Sequence, residues 1–182
     1  PRVAVLWRKD LVGMNKLTDT KPTLLQVVSL REAMETQWAT DAHFCTYQVE
    51  GEEEWPRLNK PVLPELLAAG GNVLCSILAF DYDNSDHQAW TEALLEDFLS
   101  KLIEISEAGC HYARDWTVLY TTRGGARLIY ALTKPIPAPE AEARARGVIE
   151  AFRKHGLMID TACTDWTRLF RLPQVVREGK NS

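Results

Sequence analysis

"VLCSILAFDYDNSDHQAW", residues 73–90, decides how this chain is read. From Val73 it runs without a charged residue to Asp81, and a second carboxylate follows at Asp83. A short apolar run bounded by a polar turn reads as a core strand. Side chains alternate along a strand, so Asp81 and Asp83 share one face while Phe80 and Tyr82 take the other. Two carboxylates that close repel, and one tends to hold a proton. A divalent cation resolves the conflict, and hard oxygen ligands suit Mg2+ or Mn2+. The plainer alternative is a polar turn opened by Asp81, Asp83 and Asn84.

Working outward, "RVAVLWR" alternates as a strand does. "KPTLLQVVSLREAMETQ" places Leu24, Val27, Val28 and Leu30 at helical spacing, which predicts a short helix opening near Pro22. The charged, Pro- and Gly-rich stretch "EGEEEWPRLNKPVLPELLAAGGN" predicts loop, with a short helix at Pro64–Ala69. After the central strand a helix is expected from about Ser85 to Ser106, capped by Ser85 or Asp86. Its stripe is Trp90, Leu94, Phe98, Leu102 and Ile105. "DWTVLYTT", "RGG" and "ARLIYALT" make a β-hairpin. A second helix buries Ala141, Ala145, Val148, Ile149 and Phe152 and ends at Gly156. "LMID" is expected as a short strand, and "WTRLFRLPQVV" closes the chain. Strands, helices and a hairpin in that order predict an α+β fold with a mixed, partly antiparallel sheet and helices packed on it.

The totals set limits. In 182 residues, 46% hydrophobic and 25% charged, there is room for one soluble globular domain with a real core. The net charge of −4 argues against binding nucleic acid by bulk electrostatics and leaves only a local arginine stripe. There is no apolar run of the ~20 residues a membrane span needs, and no signal-peptide pattern. Cys45, Cys75, Cys110 and Cys163 show no CxxC, which predicts free thiols in a reducing, cytoplasmic compartment. Cys110-His111 lacks a second pair at zinc-ligand spacing. The start at Pro1 and the polar end "EGKNS" read as a piece of a longer protein.

Two further stretches carry chemistry. In "TTRGGARLIYAL", residues 121–132, Gly124 and Gly125 permit a tight turn and close approach, with Arg123 and Arg127 beside it. Amides and guanidinium groups together cradle phosphate, although an ordinary hairpin with exposed arginines has the same look. In "LMIDTACTDWTRLFRLP", Asp160 ends an apolar run as Asp81 does, and Arg168 and Arg171 follow three residues apart. Asp165 is the alternative acid, ranked below Asp160 because it lies in a polar loop. Three carboxylates with arginines for a triphosphate are what phosphoryl transfer from a nucleotide requires.

In this order the motifs resemble the archaeo-eukaryotic primase superfamily, in particular the primase-polymerases of phages, plasmids and mobile elements. "LAFDYD" is similar to the family's strand ending in D-x-D, at Asp81 and Asp83. Gly125, Ala126 and Arg127 stand where the family has a small residue, any residue, then histidine. Ile159-Asp160 is similar to its hydrophobic-acid motif, and "RLFRLP" to the arginine-bearing stretch that follows. The resemblance covers residues 73–178, and arginine in place of histidine is its departure.

It implies an RRM-like catalytic sheet over residues 71–178 and a smaller α/β subdomain over 1–70. The implied activity is DNA-dependent nucleotidyl transfer, as a primase, a polymerase or both. Asp81, Asp83 and Asp160 would bind two Mg2+ or Mn2+ ions. Gly124, Gly125, Arg127, Arg168 and Arg171 would hold the nucleoside triphosphate. DNA template and primer would be the partners, with a fused or associated helicase and helical priming domain, in a bacterial cell or phage-infected host. Two rivals stand beside it. A replication-initiator nicking enzyme needs a histidine cluster, and His43, His87, His111 and His155 form no HxH. A non-catalytic nucleic-acid-binding module would keep the sheet without the chemistry.

Overall fold

The computed structural model describes residues 1–7, 23–39, 41–50, 63–83 and 90–175. Its elements are β1 (Arg2–Trp7), β2 (Thr23–Ser29), α1 (Leu30–Glu35), β3 (Ala42–Cys45), β4 (Tyr47–Val49), α2 (Leu63–Ala68), β5 (Val73–Asp83), α3 (Glu92–Glu107), β6 (Val118–Thr122), β7 (Gly125–Pro137), α4 (Ala138–Lys154) and β8 (Leu169–Arg171). Single 3-10 turns lie at His111–Ala113 and Thr161–Thr164. The fold is α+β, with two four-stranded sheets ordered β2-β1-β3-β8 and β4-β5-β7-β6. The strand registers are antiparallel, and Trp38 and Val175 form an isolated parallel bridge.

The chain divides into two compact units. One comprises Pro1–Ser76, Thr133–Ala138 and Trp166–Ser182. In it Val3 and Ala4 pair with Val28 and Val27, Val5 pairs with Phe44, and Phe44 pairs with Phe170. The Phe44 and Phe170 rings stack at 5.7 Å, and Tyr47 meets Trp166 edge-on at 5.4 Å. Full burial of each such ring contributes about 1.5–3 kcal/mol. The other unit comprises Ile77–Leu132 and Pro139–Asp165. Its core includes Phe80 against Tyr130 and Tyr82 stacked on Phe98 of α3 at 4.7 Å. Ala141, Ala145, Val148, Ile149 and Phe152 of α4 are buried, as their spacing predicts, and Gly156 takes φ +77° just past the helix.

Several local expectations change. Residues 23–29 form a strand, not the first turns of a helix. The 24, 27, 28, 30 spacing suits either element, but Val27 and Val28 are β-branched and β1 supplies a pairing partner. The helix begins only at Leu30, where the Ser29 hydroxyl accepts from the Glu32 N–H at 3.1 Å. Residues 157–160 are irregular rather than a strand, because Asp160 turns the chain into the 3-10 turn at Thr161–Thr164. The helix after β5 starts at Glu92 under a Thr91 cap, and the expected caps Ser85 and Asp86 lie outside the described residues. Of its stripe, Phe98, Leu102 and Ile105 are buried while Leu94 is exposed.

Candidate metal centre

Asp81 stands near the end of β5 and is buried, while Asp83, two residues on, is exposed. Alternation along the strand puts both on the face opposite Tyr82. Tyr82 instead lines a cleft of about 250 Å3 with Trp90, Leu94, Asp97, Phe98, Lys101 and Leu157. That cleft therefore lies on the opposite face of β5 from the two acids.

Asp160 reaches Asp81 through the backbone. Its N–H donates to the Asp81 carbonyl at 2.9 Å. Its carboxylate accepts from the Ala162 N–H at 2.9 Å, which caps the 3-10 turn. That turn carries Cys163 round three residues later, its N–H donating to the Asp160 carbonyl at 3.1 Å. The Cys163 Sγ in turn accepts from the Asp81 N–H at 3.2 Å. One ligand atom each from Asp81, Asp160 and Cys163 then lies within 4.8 Å of the others, with Asp81 and Cys163 buried and Asp160 partly so.

Arg127 completes the centre from β7. Nε donates to Asp81 Oδ1 at 2.5 Å and Nη2 to Oδ2 at 3.0 Å, a bidentate pair with both side chains buried. Nη1 donates to the Tyr120 hydroxyl at 2.9 Å, and Tyr120 is the residue directly opposite Arg127 across the hairpin. Burial pulls the guanidinium pKa down, but Tyr120 and Asp81 outweigh it and the net direction is up. Arg127 stays charged.

Gly125 has a steric reason to be glycine. A Cβ there would lie 1.8 Å from the Tyr82 carbonyl oxygen and 2.9 Å from the Asp83 Cα. Only a bare Cα lets β7 pass β5 at that point, and this passage sets Arg127 against Asp81. Gly124 is half-buried in the turn, beside the exposed Arg123. Arg168 and Arg171 belong to the other unit. There Arg168 lies over the Phe170 ring at 5.4 Å, and Arg171 clasps Asp41 at 2.6 and 3.2 Å. Asp165 closes the 3-10 turn, its N–H donating to the Ala162 carbonyl at 3.1 Å.

The sequence points to Asp81 and Asp160, but not to Cys163 beside them, to Tyr120 as a partner of Arg127, or to Asp41 as the counterion of Arg171. For Cys163 the signal was present: Asp-x-x-Cys on a tight turn brings both ends to one side. The donor set suits a divalent cation. Two carboxylates offer hard oxygen, which suits Mg2+ or Mn2+, and the thiol extends the range to softer ions such as Zn2+. No protein-family model, curated protein or solved structure matches the chain.

Proposed function

We propose that this chain is a DNA-dependent nucleotidyltransferase of primase-polymerase type, joining nucleoside triphosphates to a 3'-hydroxyl on a template. One observation carries the reading: Asp81 and Asp160, far apart along the chain, bring carboxylate oxygens within 4.8 Å of each other beside a buried arginine. Asp81 and Asp160 would hold Mg2+ or Mn2+, with the exposed Asp83 on the same strand face adding a ligand at the solvent edge. A bound divalent cation makes the attacking hydroxyl more acidic and offsets charge on the departing pyrophosphate. In the reaction the 3'-hydroxyl gives its proton to solvent and its oxygen forms a bond to the α-phosphorus as the bond from α-phosphorus to the bridging oxygen breaks. Pyrophosphate leaves with that electron pair. Arg127, charged throughout, contributes anion binding at the polyphosphate.

The test is extension of a primed DNA template by the purified chain with Mn2+ or Mg2+ and ribo- or deoxyribonucleotides. Extension that disappears with a chelator supports the reading. No extension with either metal removes it. One observation favours a second reading, a binding module without catalysis. The Arg127 pair already offsets the charge on Asp81. Nucleic-acid binding indifferent to chelator, with no nucleotide incorporated, would select it.

A further inference from the structure

Asp81 faces two candidates for its charge. One is present: Arg127 occupies both carboxylate oxygens, at 2.5 and 3.0 Å, in a pair shielded from water. The other is a cation shared with Asp160. A divalent cation entering beside a buried guanidinium meets like charge at short range where solvent screens poorly. The arginine has somewhere to go. Its Nη1 is held at 2.9 Å by the Tyr120 hydroxyl, and its Cζ lies 5.5 Å from the Tyr120 ring centroid. On the same strand faces Asp83 is exposed and Tyr120 is half-buried, so solvent reaches the rim of the pair.

We propose that Arg127 is an electrostatic latch on Asp81. It keeps a lone cation off the carboxylate and yields to a polyphosphate anion, which draws the guanidinium across and leaves Asp81 to the cation. Cation and nucleotide then bind together rather than singly, a coupling that is reciprocal by linkage. The inference rests on the reading of Asp81 and Asp160 as a cation site.

Calorimetry tests it in two arms that do not measure turnover. In the first, Mn2+ alone is titrated into the wild-type chain and into Arg127→Met. In the second, pyrophosphate alone, with chelator present, is titrated into the wild type and into Asp81→Asn, which removes the negative charge that holds Arg127 while keeping the side-chain shape. The latch predicts a gain of about tenfold or more for each variant over wild type. Equal affinities in both arms overturn it. If Arg127→Met does not fold, the Asp81→Asn arm decides alone: a gain supports the latch and no gain overturns it. Both gains without nucleotide incorporation by the wild type would keep the latch and remove the transferase reading. Incorporation without either gain would do the reverse.

Discussion

The main-chain N–H of Asp160 donates to the main-chain carbonyl of Asp81 at 2.9 Å, and the Asp81 N–H donates to Cys163 Sγ at 3.2 Å. The residue that carries the buried carboxylate is thus stitched on both its backbone sides to one four-residue segment. The closeness of the two acids follows from peptide hydrogen bonds, not from attraction between their side chains. Replacing either carboxylate by its amide leaves that framework standing, so chemistry can be removed without removing the fold.

Gly125→Ala tests the backbone passage. A methyl group 1.8 Å from the Tyr82 oxygen has no soft neighbour to displace, so β5 or β7 must move. The expected loss of stability is at or beyond the upper end of the ~1–3 kcal/mol typical of overpacking. It would be read as a lower denaturant midpoint at unchanged slope. A midpoint equal to wild type would mean that the strands do not approach as described.

Arg127→Met tests the buried pair. Losing the guanidinium strands a carboxylate away from water, and breaking such a pair costs about 3–5 kcal/mol. Asp81→Asn should cost less, because the amide oxygen still accepts from Arg127. Equal losses measured by denaturation would show that charge is not what the pair contributes.

The buried thiols set an alkaline limit. Burial raises Cys45 and Cys75 from the usual 9.0 to about 12. Between those values the unfolded chain has lost protons that the folded chain retains, so stability falls as pH rises from 9 toward 12. The slope is about 1.4 kcal/mol per pH unit for each thiol. Cys45→Ala and Cys75→Ala should each flatten the fall over that range, measured by denaturation at stepped pH. A profile unaffected by both substitutions would contradict it.

Much of this fold is legible in the sequence where one period dominates. The β5 run, the glycine hairpin and the α4 stripe each carry a single pattern that tertiary packing only reinforces. Residues 23–29 failed that test because their apolar spacing suits two elements and the partner strand β1 decided between them. The apolar run before Asp160 points to a strand end, yet Asp160 is a turn cap that makes one ladder-like bond. The Arg127–Asp81 contact was beyond reach, since it depends on β5 lying beside β7 and on a register that no local pattern encodes. Asp41 as partner of Arg171 was hidden for the same reason, because β3 and β8 come from opposite ends of the chain.

The most direct measurement is templated primer extension by Asp160→Asn beside wild type, in Mn2+, with thermal melting of both proteins. Two carboxylates sharing one cation predict that the wild type extends the primer and that the variant loses at least about a hundredfold in rate while melting near the wild-type temperature. A variant that extends at the wild-type rate, or a wild type that leaves the primer untouched, would contradict the account.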